Sequence, residues 1–176
     1  LKLNEERLLK ERDEFNNKLT QTRITTAKQL QTSLTNYLVP MGLKHVRFDI
    51  EITPSDPSRK GSDSIRFLFS ANPDQPLRPL VDIASGGEMS RFLLALKTTL
   101  SAVSGSSTIL FDEIDSGVSG RVSSAIAELL KKLSLDRQVL CVTHQPLVAA
   151  QADHHFRVQK VLEQGVTKVH VSSLLS

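Results

Sequence analysis

Two stretches of this chain constrain its fold more than any others. "TILFDE" (residues 108–113) and "QVLCVTH" (residues 138–144) each run through apolar residues and stop abruptly in polar ones. Between them lies "RVSSAIAELLKKL", with Val122, Ile126, Leu129, Leu130 and Leu133 on one helical face. Short, continuous apolar strands joined by an amphipathic helix predict a parallel sheet buried on both faces. In an open parallel sheet, ligands gather at the carboxyl ends of the strands. Here those ends carry Asp112, Glu113 and His144.

The rest of the chain reads around that centre. Residues 1–38 predict a helix: Leu1, Leu8 and Phe15 are seven apart, Leu19 follows, and charges lie between them. The apolar stripe weakens through a Thr-rich run, resumes at Ile24, Ala27, Leu30, Leu34 and Leu38, and ends at Pro40 and Gly42. Two heptads fit an ordinary amphipathic helix as well as the end of a coiled coil. In "HVRFDIEI", Val46, Phe48, Ile50 and Ile52 alternate with polar residues, and "IRFLFSA" predicts a second strand pairing back on it. "NPDQPLRPL" is an extended approach to a helix running from Ser85 to about Ala102. "QPLVAAQA" predicts a short helix, and a closing hairpin turns at Gln164-Gly165.

Composition narrows the classes. The 176 residues suffice for one domain with one core. A net charge of +3 permits contact with nucleic acid without arguing for it. With Cys141 as its single cysteine, the chain has no internal disulfide framework, which fits a reducing, cytoplasmic compartment. No stretch approaches the roughly 20 apolar residues of a membrane-spanning helix, so no membrane partner is expected. Leu1 already sits in a helical pattern, so a piece of a longer protein is expected.

The helix start "ASGGEMSR" needs its own account. Ser85 followed by Glu88 has the spacing of a capping box. Two glycines in the first turn are not explained by a cap, since each costs up to about 1 kcal/mol relative to Ala. Backbone without side chains at a helix N-terminus leaves N–H groups bare for a phosphate. An Asp-Glu pair ending a buried strand is the Walker B pattern. There Asp112 can hold Mg²⁺, and Glu113 can take a proton from an attacking water. Taken alone, the pair reads equally well as a strand end capping the next turn. A turn with two glycines, "DSGVSG", follows at once.

In order, a glycine-rich signature helix, a Walker B strand, a D-loop turn and a switch histidine resemble the C-terminal half of an ABC-type ATPase head. The stretches "FLFSANPDQPLRPL", "IASGGEMSRFLLALK", "TILFDEIDSGVSGRV" and "QVLCVTHQPLVAAQADHHFRVQK" are similar, within that class, to the SMC-like RecN family of bacterial DNA-repair ATPases. The resemblance implies an α/β fold: the C-terminal lobe of an ABC/SMC-type head over residues 39–176, a mostly parallel sheet flanked by helices. Residues 1–38 would be the end of a coiled-coil arm. It implies that Ser85, Gly86, Gly87 and Glu88 meet the γ-phosphate of ATP, and that Ser116 and Gly117 belong to the D-loop linking two sites. Asp112 would help hold Mg²⁺, with Glu113 as catalytic base and His144 reaching the γ-phosphate. The implied partners are an N-terminal lobe of the same polypeptide, a second copy joined through ATP, and DNA; the implied location is the bacterial nucleoid. No G-x-x-x-x-G-K-[ST] occurs in the chain, so the phosphate-cradling loop must come from elsewhere.

Lesser features leave alternatives open. Cys141, Asp153, His144, His154 and His155 lack standard zinc spacing. Arg91 and Arg121 sit early in their helices, where a cation is mildly unfavourable, which marks each for a ligand, an interface or a surface ion pair. Lys131 and Lys132 suit a solvated helix end. Another SMC-like head, an ABC transporter nucleotide-binding domain and a non-catalytic interaction module remain as rival readings.

Overall fold

A computed structural model describes residues 2–70, 72–82, 86–100, 108–118, 120–163 and 166–174. Helix α1 (Lys2–Leu38) runs without interruption, as a stretch free of proline and glycine allows. Its two halves differ. Leu8 and Phe15 are 52% and 68% exposed, so the heptad stripe has no cover among the described residues. Farther along, Ala27, Leu34 and Leu38 are buried.

Strands β1 (Arg47–Ser58) and β2 (Gly61–Ser70) form the expected antiparallel hairpin, with Phe48 opposite Phe69 and Ile50 opposite Phe67. A two-residue β3 (Arg78–Pro79) adds to the β2 edge beside Leu68 and Phe69, which sequence patterning does not reveal. Proline lacks an N–H for the ladder, which suits so short an edge strand. Then come α2 (Gly87–Thr99), β4 (Thr108–Phe111), α3 (Arg121–Ser134), β5 (Gln138–Cys141) and α4 (Pro146–Ala149). The hairpin β6 (His155–Glu163) and β7 (Val166–Leu174) closes the chain. The α/β order is the one that the sequence predicts. Among the described residues the parallel pairing is that of β4 with β5, in register from Thr108–Gln138 to Phe111–Cys141.

The core lies between α1, α2, α3 and the β1–β2 hairpin. Leu34, Phe92, Leu94, Ala95, Ile114 and Ile126 are all fully buried. The Phe92 ring meets Phe69 edge-on at 4.7 Å and Phe48 at 5.1 Å. Removing such an aromatic costs roughly 3–5 kcal/mol. Among the described residues the β4–β5 pair is covered on one face only. Phe111 is buried and Ile109, Val139 and Cys141 pack against the core. On the other face Leu110, Leu140 and Val142 are 64%, 45% and 58% exposed.

Candidate functional site

Strand β4 delivers Asp112 and Glu113, both exposed, just past the buried Phe111. The Glu113 amide donates to Asp112 Oδ1 at 3.0 Å, and the Ser116 amide donates to Glu113 O at 3.1 Å. Glu113 sits at φ +56°, the only non-glycine in the left-handed region among the described residues. Holding an L-residue there costs on the order of 1–2 kcal/mol, so the surroundings must enforce it.

Part of that enforcement comes from α2. Arg91 is 6% exposed, and its Nη1 donates to Ile114 O at 3.3 Å and Ser116 O at 3.2 Å. Its Nε is buried with no partner among the described residues. Burial pulls the guanidinium below its ordinary pKa, with Glu88 opposing the shift. The sequence marks Arg91 for a ligand, an interface or a surface ion pair. Instead it is an internal prop under the turn after β4. Ser90 Oγ adds a bond to Asp112 O at 3.1 Å.

The two glycines separate in role. A Cβ on Gly87 would meet Arg91 Nη1 at 3.0 Å and the carbonyls of Glu113 and Ser116 at 3.1 Å each. Gly87 is therefore required by close packing of α2 on this turn. Among the described residues a Cβ on Gly86 would meet nothing within 4 Å, so none of them fills the space in front of Gly86. Gly86 is the N-cap, and among the described residues no side chain bonds the helix start. Ser85 lies outside the described residues. Glu88 is exposed in the first turn.

From the other side the turn is held by the end of β5. Asp115 is 2% exposed. Its Oδ2 accepts from the Thr143 hydroxyl, from the His144 amide at 3.1 Å and from the Gln145 amide at 3.3 Å. Burial pushes this carboxyl up, but the Thr143 hydroxyl and the two amides outweigh it and hold it below the usual aspartate range. Its Oδ1 lies 3.6 Å from His144 Nδ1, and the His144 side chain is 71% exposed. The Gln145 side-chain amide donates to Val118 O at 3.0 Å and lies 3.3 Å from His144 Nε2. Ser116 and Gly117 sit exposed on the same turn.

The structure thus gathers Gly86, Gly87, Asp112, Glu113, Ser116, Gly117 and His144 around one turn. Sequence reasoning does not single out Asp115, Thr143 or Gln145 for this site. Cys141 lies beneath it with its thiol pushed up to about 11, first by burial and then by Asp115 and Asp112, so it is not a reactive thiolate. Chemically, the site offers an exposed carboxylate pair at a strand end, an uncovered helix start and an exposed imidazole. Those are groups able to bind a cation, an anion and a transferable proton.

The family described as "AAA domain, putative AbiEii toxin, Type IV TA system" matches residues 48–150, more than half of the chain. The chain is 50% identical over 145 residues to the DNA repair protein RecN of Synechocystis, covering 82% of this chain and 25% of that protein. It is 42% identical to RecN of Rickettsia conorii over 174 residues, covering 99% of this chain and 32% of that protein. The chain therefore spans between a quarter and a third of these curated relatives. Among solved structures, the Smc head domain with a coiled coil and joint from Pyrococcus yayanosii superposes with a TM-score of 0.62 at 18% identity. That match covers 99% of this chain and 32% of the Smc chain, and it shows a shared fold. The chain belongs to the AAA domain family and, over the piece it spans, is similar to the DNA repair protein RecN.

Proposed function

We propose that this chain is the lobe of an SMC-like ATPase head that supplies the acidic strand end and the switch histidine to one composite ATP site and its helix start to the site of a second copy. The parent protein would act in DNA double-strand-break repair and recombination. The observation that carries the reading is the single turn that α2, β4 and the end of β5 share. Residues 1–38 would be the end of a coiled-coil arm and residues 39–176 the lobe.

The residues fit a magnesium nucleotide. Among the described residues no three His, Cys, Asp or Glu side chains gather. A divalent ion here would rest on Asp112, with phosphate oxygens and water completing its shell, the donor set Mg²⁺ favours. Bound MgATP supplies an electrophilic phosphoryl group whose charge must be stabilised as it transfers. Glu113, exposed at the strand end, accepts the proton of the attacking water. The space at Gly86 that no described residue fills lets a phosphate approach the free N–H groups of the first turn of α2. His144 reaches the γ-phosphate held beside Asp112 and Glu113.

The missing phosphate loop and the uncovered face at Leu110, Leu140 and Val142 support two partners: a second lobe of the same polypeptide, and a second copy meeting the first through ATP. DNA is the proposed final substrate of the motion. No helix of the described residues is long and apolar enough to cross a membrane. The test is Glu113→Gln in the full-length protein. Turnover should fall by roughly 10²–10⁴-fold while an ATP-bound dimer accumulates. Unchanged turnover would remove Glu113 as the base.

A further inference from the structure

The turn after β4 holds a buried carboxylate to which the proposed chemistry assigns nothing. Asp115 does not touch the exposed face where a nucleotide would sit, since its residue is 2% exposed. Every contact it makes with the end of β5 falls on three consecutive residues. Thr143 contributes its hydroxyl, and His144 and Gln145 contribute their amides. The Thr143 hydroxyl in turn accepts from the Gln145 amide at 3.0 Å. The backbone on both sides of the His144 Cα is thereby fixed to the turn that carries Glu113.

The ring is addressed as well. Asp115 Oδ1 faces His144 Nδ1 at 3.6 Å, within electrostatic reach though longer than a hydrogen bond. The Gln145 side-chain nitrogen meets Nε2 at 3.3 Å. One neutral tautomer satisfies both neighbours: Nδ1–H toward the carboxylate, and Nε2 accepting from Gln145. A carboxylate behind one imidazole nitrogen sets the tautomer and aim of the other.

We infer that Asp115 is the positioning residue for His144, fixing its backbone through Thr143, His144 and Gln145 and setting the tautomer of its ring through Nδ1. Arg91 completes the arrangement from α2 by holding the carbonyls of Ile114 and Ser116, on either side of Asp115. The helix start, the acidic strand end and the histidine are then one braced unit. This inference rests on the ATPase reading above, and its test is chosen to separate the two.

The experiment is a double-mutant cycle on ATP turnover in the full-length protein, with Glu113→Gln as a parallel control. Asp115→Asn keeps the volume and one oxygen acceptor but removes the charge behind Nδ1. It should lower kcat by about tenfold or more, with KM for ATP changed by less than about twofold. In a His144→Ala background the same substitution should change kcat by less than about twofold, because the residue it acts through is gone. Thr143→Val should lower kcat in the same direction, and Thr143→Ser, which keeps the hydroxyl, should restore it. If Asp115→Asn does not fold, the Thr143 pair in the two His144 backgrounds answers the same question. An equal loss of kcat with and without His144 would make Asp115 a merely structural brace and overturn the inference. So would wild-type kcat in Asp115→Asn and Thr143→Val. If the parent protein shows no ATP turnover, the ATPase reading fails first, whereas turnover retained in Glu113→Gln removes only Glu113 as the base.

Discussion

At the tip of the β1–β2 hairpin and at the turn after β4, an aspartate, a threonine, an arginine and a close-packed glycine meet. At the hairpin tip, Thr20 donates to both Asp63 oxygens at 2.8 and 2.9 Å, and Arg23 Nη1 pairs with Asp63 at 2.8 Å. Arg23 Nη2 also reaches Lys60 O at 2.6 Å, and Gly61, at φ +101°, lies under Leu19 and Arg23. The Asp63 side chain is 5% exposed. Asp63 and Arg23 therefore neutralise each other, and the cluster is closed: it ties α1 to the hairpin and offers nothing outward. At the turn after β4 the same residue types are wired differently. Arg91 spends its donors on backbone carbonyls, and Asp115 faces a histidine. Its charge has no permanent cation beside it and acts on an exposed imidazole. The pairing, and not the presence of a buried carboxylate, separates a structural clamp from a candidate site.

The comparison can be broken by matched substitutions in the full-length protein. The largest difference is expected in turnover. Asp115→Asn should lower kcat by about tenfold, whereas Asp63→Asn should leave it within about twofold. Equal losses would mean that both carboxylates only hold the fold.

Next come the glycines. Gly87→Ala drives a Cβ against two backbone carbonyls that cannot swing away, and should cost roughly 2–3 kcal/mol in denaturant unfolding. Gly61→Ala adds the strain of a positive φ, about 1–2 kcal/mol, and pushes on the end of Leu19 and on the Arg23 Nη1 that pairs with Asp63. Gly86→Ala, with no described residue in front of it, should cost about 0.5–1 kcal/mol, the preference of an N-cap for Gly over Ala. If Gly86→Ala proved as destabilising as Gly87→Ala, the separation of the two roles would fail.

The smallest effect is on acid stability. Asp63 is held below the ordinary range, first by Arg23 and then by the Thr20 hydroxyl. Asp115 is also held below it, as hydrogen bonds outweigh burial. A depressed carboxyl stabilises the fold above its unfolded pKa of about 3.9 and loses that contribution as pH falls through the folded value. Arg23→Leu should move the Asp63 contribution to the acid loss up toward about pH 4 and leave that of Asp115 in place. Melting midpoints recorded across the acid range, for the parent and Arg23→Leu, read this directly.

The elements around the site are legible in the sequence because they are local. Apolar runs with polar ends place β4 and β5, and helical periodicity places α3. The alternation of Phe48, Ile50 and Ile52 places β1. The bracing is not legible because it joins residues far apart in sequence. Arg91 to Ser116 and Asp115 to His144 are separations that no periodicity records. A cation early in a helix does mark Arg91 as unusual, without showing that its partner is a carbonyl. The double glycine reads in sequence as one phosphate-binding device. Only the positions of the Glu113 and Ser116 carbonyls show that Gly87 serves packing, while no described residue stands in front of Gly86. The apolar runs of β4 and β5 predict a parallel sheet core, and composition does not say which cover is present in this chain.

The composite site is tested most directly by mixing two inactive full-length proteins. One carries Glu113→Gln. The other carries Gly86→Arg, which blocks the open helix start without entering the core. In a two-fold dimer whose sites each take the acidic pair from one copy and the helix start from the other, a mixed dimer holds one intact site. Equal mixing should then restore about a quarter of parental turnover, since half the dimers are mixed and each has one of two sites. No recovery, from proteins shown to exchange subunits, would contradict the account.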